Sequence, residues 1–359
     1  MAYTTIDDPS AYFTTVLYTG TSDDSVKTVT NDANAGDFKP DWLWIKARSG
    51  SYATRDHALY DSNRGATKRL ESNATDAEAT DSNNVFNTNG FTLTSNYSIN
   101  GPSTNYVGWQ WKCNGGTTAS NTDGSITSTV QANTTAGFSI VTYTGNGTEG
   151  ATFGHGLGAT PDLVIVKGRA DADNWAVFNG TSTTNSRSLH LDTTDAEIPV
   201  SSYNFWNLYW DETRPSSTVV TLGVDSKVNK NSGTKVAYCF RSIQGYSKIG
   251  KYIGNGNANG TFVHLGFKPA WVMTKRTDTA NGWPISDNAR NPFNVVDISS
   301  YANSASDANT VSNHYDSVSN GFKLRGTSTG WNTSGGTYIY IAFAEHPFVS
   351  SKGVPTTAR

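Results

Sequence analysis

The chain has 359 residues, with 27 basic and 30 acidic side chains and a formal charge of −3. A balance this close to neutral leaves no electrostatic footprint for nucleic acid or an anionic membrane surface. Charged residues make up only 16 % and aromatics 12 %, a mixture that buries apolar surface well and argues against disorder; the length predicts more than one domain.

The first residues, MAYTTIDDPS, lack a basic n-region and an apolar h-region, so no secretory signal is expected. No apolar run approaches the roughly 20 residues of a membrane helix, so membrane insertion is not expected either. The two cysteines, Cys113 and Cys239, sit in unrelated contexts and define neither a disulfide framework nor a zinc ribbon.

Reading along the chain, one pattern returns three times. Tyr18-Thr-Gly-Thr, Tyr143-Thr-Gly-Asn-Gly and Tyr252-Ile-Gly-Asn-Gly open three units. A proline-led segment follows in each: Pro40-Asp-Trp-Leu-Trp-Ile-Lys46, Pro161-Asp-Leu-Val-Ile-Val-Lys167 and Pro269-Ala-Trp-Val-Met-Thr-Lys275, with one and the same Pro-to-Lys spacing. Each unit ends on an aromatic strand: Val107-Gly-Trp-Gln-Trp111, Val236-Ala-Tyr-Cys-Phe240 and Ile339-Tyr-Ile-Ala-Phe343. The period exceeds a hundred residues, well above the roughly 20–50 of solenoid repeats, so the units read as three tandem domains.

Short β-branched and aromatic runs alternate with Gly, Asn, Thr and Ser, and sustained helical periodicity is almost absent. The predicted fold is all-β: three tandem β-sandwich repeats of jelly-roll or concanavalin-like type. The proline-led segments are apolar on both alternating faces, Trp42 and Trp44 against Leu43 and Ile45, which predicts a strand covered on both sides. The lysine ending each segment is expected to reach solvent as the strand leaves the core. Asn89-Gly90 and Asn320-Gly321 predict type I′ hairpins in units one and three. Unit two has an aromatic stretch there instead, containing Tyr203, Trp206, Tyr209 and Trp210.

The boundaries follow from composition. Unit one covers 1–112. Residues 113–135, rich in Gly, Ser, Thr and Asn, read as a linker with one short strand near 126–130. Unit two covers 136–248 and unit three 249–359, with a tail after residue 348 that frays or docks. The short connection 241–251 predicts that units two and three pack more rigidly on each other than on unit one.

No catalytic or metal-binding motif stands out: there is no nucleophile elbow, H-E-x-x-H, P-loop or dinucleotide loop, so no catalytic residue, metal or cofactor is assigned. His155 and His264 precede their repeat prolines, but unit one has Ala35 there; they read as turn-capping histidines. Asp61-Ser-Asn-Arg64 and Asp287-Asn-Ala-Arg290 read as ion pairs bracing a loop, with Asn179 at the nearest place in unit two. The acids Asp23-Asp24, Asp171-Ala-Asp173 and Asp123 lack a calcium-loop spacing and read as solvated turn residues. The candidate contact surface is Tyr203, Trp206, Tyr209 and Trp210, because Tyr and Trp give large contact area at low entropic cost and stack on sugar faces. Strand alternation predicts that some of these rings face outward.

MAYTTIDDPSAYF at the start, the Y-T-G-N-G, G-H-G-L-G and P-D-L-V-I-V-K series, and S-N-G-F-K-L-R with G-G-T-Y-I-Y-I-A-F at the end are similar to tailed-bacteriophage virion proteins of the tail fibre and receptor-binding type. Viruses of marine bacteria, cyanobacteria included, carry this family. The similarity spans essentially the whole chain. It implies a non-enzymatic structural protein of the particle surface, tail-associated and mediating host attachment by multivalent binding. Implied partners are other virion proteins, a host surface glycan or protein, and further copies of the chain, with a trimer the expected oligomer. A capsid decoration or head-fibre protein is the alternative, and a polysaccharide depolymerase a third.

Overall fold

The computed structural model describes residues 2–21, 25–31, 38–82, 84–94, 96–182, 187–198 and 208–356. It is all-β and antiparallel, with 43 % strand against 3 % helix. Each unit builds its main sheet from the same five strands. The opening strands are Phe13–Thr19, Phe138–Thr144 and Ser247–Ile253. The proline-led strands are Trp42–Gly50, Leu163–Gly168 and Phe267–Arg276. Next come the return strands Ala58–Asp61, Ala176–Asn179 and Pro284–Asp287. Outer strands Gly65–Leu70, Leu189–His190 and Val296–Tyr301 follow. The closing strands are Thr104–Trp111, Thr234–Phe240 and Thr337–Pro347. In all three sheets the order is opening, closing, proline-led, return, outer.

The registers superimpose as well. Trp42 pairs with Trp111, Leu163 with Phe240 and Trp271 with Phe343. Side chains alternate across a strand, so each central strand feeds two cores. Leu43, Ile45, Tyr106 and Phe91 belong to a cluster private to unit one. Units two and three have private clusters of their own, around Val164, Val166 and Phe153, and around Val272, Tyr338 and Phe322. The opposite faces all enter one larger cluster: Phe13, Trp42, Trp44, Trp109 and Trp111 from unit one, Phe138, Tyr238 and Phe240 from unit two, Trp271, Ile341 and Phe343 from unit three. Trp42 lies on Tyr238 with ring centroids 4.6 Å apart, and Phe343 touches Trp111 at 5.6 Å and Phe240 at 6.0 Å. Trp111, Phe240 and Phe343 are the same repeat position seen three times.

This arrangement changes the tandem reading. The units are threaded in series along the chain, but their largest core is common property, and unit one packs into it as fully as the others. The expected linker is also different: Ala119–Asn121 and Ser128–Asn133 are strands that extend the sheet of unit two through the opening strand. Its Thr- and Ser-rich composition resembles a linker because the added strands lie at the sheet's outer end, where polar side chains face water. At the other end of the chain, the tail docks: Ser351 N–H donates to Asp7 Oδ1 at 2.6 Å.

The opening motif has a physical reason. Tyr18, Tyr143 and Tyr252 each send a hydroxyl to a backbone carbonyl, of Ile99, Val228 and Trp331, at 2.8, 2.7 and 2.8 Å. The glycine two residues later lies against the same turn, where a Cβ would meet Gly101 O at 2.2 Å, Lys230 O at 2.5 Å or Thr333 O at 2.3 Å. The Asn-Gly hairpins form, but neither asparagine has positive φ, so they are not type I′. Their glycines answer to close approach instead: a Cβ on Gly90 would sit 2.1 Å from Val29 O, and one on Gly321 2.0 Å from Val263 O.

A shared core couples the units energetically. Trp111→Ala is expected to cost about 3–5 kcal/mol, as for other buried Trp truncations. Denaturant unfolding followed by tryptophan fluorescence and by far-ultraviolet circular dichroism should give coincident transitions, shifted together in the variant; three separable transitions would indicate independent domains.

Candidate functional site: the joints between the repeats

The three repeat lysines do not reach solvent. Lys46, Lys167 and Lys275 are all 0 % exposed. Burial strips water from each ammonium, and backbone carbonyls take its place as acceptors. Lys46 Nζ donates to Ala47 O, Ala53 O and Arg55 O of its own unit and to Ala305 O of unit three at 3.0 Å. Lys167 donates to Asp173 O and to Thr75 O of unit one at 2.7 Å. Lys275 donates to Asn281 O and to Thr194 O of unit two at 3.0 Å. One to three, two to one, three to two: the bonds close a ring. Desolvation lowers each lysine from its ordinary value to about 8, so each remains a cation at neutral pH.

A second ring runs beside the first. At the residue heading each return strand, Trp175 Nε1 donates to Glu71 O of unit one at 2.9 Å and Trp283 Nε1 to His190 O of unit two at 2.9 Å. Unit one has His57 there, whose Nε2 lies 3.0 Å from Tyr301 O of unit three. Its Nδ1 accepts Trp44 Nε1–H at 2.7 Å, so Nε2 carries the proton and donates. Burial holds His57 well below the ordinary histidine range, and the ring is neutral.

The D-x-x-R pairs brace these joints. Asp61–Arg64 and Asp287–Arg290 are fully buried at 2.5 and 2.6 Å. Asp61 Oδ2 also accepts Tyr238 OH of unit two at 2.7 Å, and Asp287 Oδ2 accepts Trp109 Nε1 of unit one at 3.0 Å. Tyr238 and Trp109 are equivalent closing-strand positions, and their counterpart in unit three is Ile341. An isoleucine has no donor to offer, so a buried carboxylate at Asn179 would find no partner across that joint. Unit two accordingly carries the neutral Asn179 and, in the arginine place, Ser182.

A family model described as a domain of unknown function, DUF7483, matches residues 8–347. The chain belongs to the DUF7483 family. No curated protein and no solved structure matches it. In this DUF7483 chain the family match therefore spans all three units and every joint between them.

The side chains singled out by sequence fall into place around the joints. Tyr203 and Trp206 lie outside the described residues. Tyr209 and Trp210 are 6 % and 1 % exposed and belong to the private core of unit two, not to an outer contact surface. Alternation fails for them because residues 208–210 form a bend rather than a strand, and the bend turns both rings inward. Trp210 packs edge-on against Phe178. His155 is buried and caps a turn, its Nδ1 accepting Leu157 N–H at 3.2 Å, whereas His264 is exposed. Asp171 and Asp173 pair with Lys230 and Lys235. Both cysteines are free and buried, and burial pushes the Cys239 thiol up to about 12. Among the described residues no His, Cys, Asp and Glu cluster is placed to hold a metal, and no helix is long and apolar enough to cross a membrane.

The joints themselves were the overlooked residues. A signal for them exists: Thr75-Asp-Ala-Glu78, Thr194-Asp-Ala-Glu197 and Ser306-Asp-Ala are a further repeat. It marks the loops that supply carbonyls to the neighbouring lysines.

Two outcomes test this picture. Free lysine titrates near 10.4, so between pH 8 and 9.5 the unfolded chain holds more protons at these sites than the folded one, and stability rises with pH. The gain is about 1–2 kcal/mol per lysine. Urea midpoints at the two pH values should show it, and Lys275→Met should lose one lysine's share while being less stable at both. Asp61→Ala, which takes from Arg64 the nearer of its two carboxylates and leaves Tyr238 OH without its acceptor while Glu78 stays at 2.9 Å, should cost about 3 kcal/mol. Asn179→Ala, at the same place in unit two, should cost about 1 kcal/mol.

Proposed function

We propose that this protein is a surface component of a tailed-phage particle, tail-associated, which attaches the particle to its host by multivalent non-covalent binding and breaks no bond. The repeats are read as duplicated sandwich modules of jelly-roll or concanavalin-like type. The observation that carries the proposal is the closed ring of inter-unit bonds. The repeat lysines, the buried aspartate–arginine pairs and the indoles are all engaged in holding three sheets together, which is how a rigid scaffold uses its polar groups. The sequence resemblance adds the virion context. Weak single contacts become firm attachment when several copies engage together, and assembly as a trimer would supply that multiplicity.

Capsid decoration is the second reading, and the same body would serve it. Labelled antibody separates them: label at the tail tip is expected, and label spread over the head would favour decoration. Purified protein should also compete with phage for adsorption to host cells. Release of oligosaccharide from host surface glycan by the purified protein would overturn the non-enzymatic reading.

A further inference from the structure

The outer edge of the opening strand is covered in two units and open in the third. In unit two, Arg241 N–H on the closing-strand side bonds to Gly137 O, so Phe138, Ile140 and Thr142 turn their backbone groups the other way, where Asn133, Gln131 and Thr129 pair with them. In unit three, a turn of the chain caps the edge: Ser247 N–H donates to Ile243 O at 2.9 Å and Ile249 N–H to Ser242 Oγ at 3.0 Å. In unit one, Lys112 N–H donates to Tyr12 O and Gly20 N–H to Thr104 O, both at 2.9 Å, so Phe13, Thr15, Leu17 and Thr19 turn their backbone groups outward. Among the described residues no strand pairs with them: the opening strand is the last of its sheet, the chain before it folds into the short turn Pro9–Ala11, and Leu17 is 39 % exposed.

The frame that holds the covering strand in unit two is nevertheless repeated beside unit one. In unit two, Gln131 Nε2 donates to Ser62 Oγ at 2.8 Å, Asn63 Nδ2 to Ile140 O at 3.1 Å and Asn133 Nδ2 to Cys113 O at 2.9 Å. Ser62, Asn63 and Cys113 belong to unit one. Counted from the equivalent Asp61 and Asp287, and from Trp111 and Phe343, their counterparts in unit three are Asn288, Ala289 and Glu345. All three line a cavity of about 360 Å³ that Phe13 and Thr15 also line. It occupies the place that residues 131–133 fill in the neighbouring joint. Ser139 and Ile140 are buried beneath that strand, whereas their counterparts Thr14 and Thr15 are only half-buried. An edge with its frame and without its strand fits a strand from another chain, whose backbone would supply affinity and whose alternate side chains would supply specificity. The frame also sets the chemistry. Asn288 offers an amide to the side chain opposite Thr15, as Ser62 offers a hydroxyl to Gln131. Glu345 puts a carboxylate where Cys113 meets the residue opposite the opening phenylalanine. Two carboxylates, Asp8 and Glu345, line the cavity against one imidazole, His346, which favours a cation there.

We infer that the open edge of unit one takes up an extended segment of another protein, antiparallel to Phe13–Thr19, with a polar side chain opposite Thr15 and a basic one opposite Phe13. The inference goes beyond the attachment reading and does not depend on it.

The probe is a fluorescein-labelled peptide of residues 127–133 of this chain carrying Asn133→Lys, titrated into the whole protein and followed by anisotropy and by amide hydrogen exchange. It should bind and slow exchange at Thr15 and Leu17. Affinity should fall at least ten-fold when the peptide carries Asn133→Glu instead, and at least ten-fold when the nitrogen of Gln131, which would face the open edge, is methylated. Leu17→Pro in the protein removes an outward N–H and no bond to the closing strand, so it should weaken binding at least ten-fold with the far-ultraviolet circular dichroism unchanged. The methylated peptide makes the same test on the unaltered protein. No binding at millimolar peptide, affinity indifferent to methylation or to the charge at position 133, or protection confined to other strands would overturn the inference. A protein that self-associates by itself, and that Leu17→Pro makes monomeric, would assign the edge to a second copy and overturn it as well.

Discussion

A buried ammonium group cannot leave its hydrogens without acceptors, and that requirement organises this molecule. Lys46, Lys167 and Lys275 end the central strand of each sheet, and each takes part of its acceptor set from a loop of another unit. Unit one offers Lys46 three carbonyls of its own and unit three adds a fourth, whereas Lys167 and Lys275 each pair one carbonyl of their own unit with one of a neighbour's at short distance. Closing the three sheets completes the bonds that cross between units, and it brings Trp42, Trp111, Tyr238, Phe240, Trp271 and Phe343 into one apolar cluster. The polar ring fixes where each sheet sits; the aromatic centre supplies most of the driving force, because apolar burial scales with area and these are the largest side chains available.

Much of the architecture is legible in the residues. The opening tyrosine and glycine, the Pro-to-Lys spacing and the aromatic closing strands mark three copies, and the double apolar alternation of Trp42-Leu-Trp-Ile45 requires cover on both faces. What alternation cannot say is whose side chains provide the cover. A period of two is the same whether a face meets its own partner sheet or a neighbour's, so a shared centre looks like three private ones. The lysines mislead for a related reason. A single charge after an apolar strand ordinarily snorkels to water, and only the loops that wrap it reveal the alternative. Those loops carry the Thr-Asp-Ala-Glu repeat, visible in the sequence but uninformative until its carbonyls are seen facing the neighbour.

The candidate contact surface was less legible. Aromatic residues as a class do not declare whether they are core or surface, and Tyr209 with Trp210 show how a bend can direct two consecutive rings inward. The joint positions of Asn288 and Ala289 illustrate the opposite case. Neither residue is notable by itself; each gains meaning only beside its counterpart in unit one, Ser62 or Asn63. Comparison between copies within one chain therefore locates a difference that reading any copy alone would pass over.

The covalent continuity of the three units has a consequence of its own. In an assembly of identical chains, symmetry forces every substitution to appear at all equivalent interfaces at once. Here each interface is encoded separately, so one can be altered while its two siblings continue to hold the body closed. The DUF7483 chain thus has the mechanical economy of a trimer with the freedom to specialise a single seam.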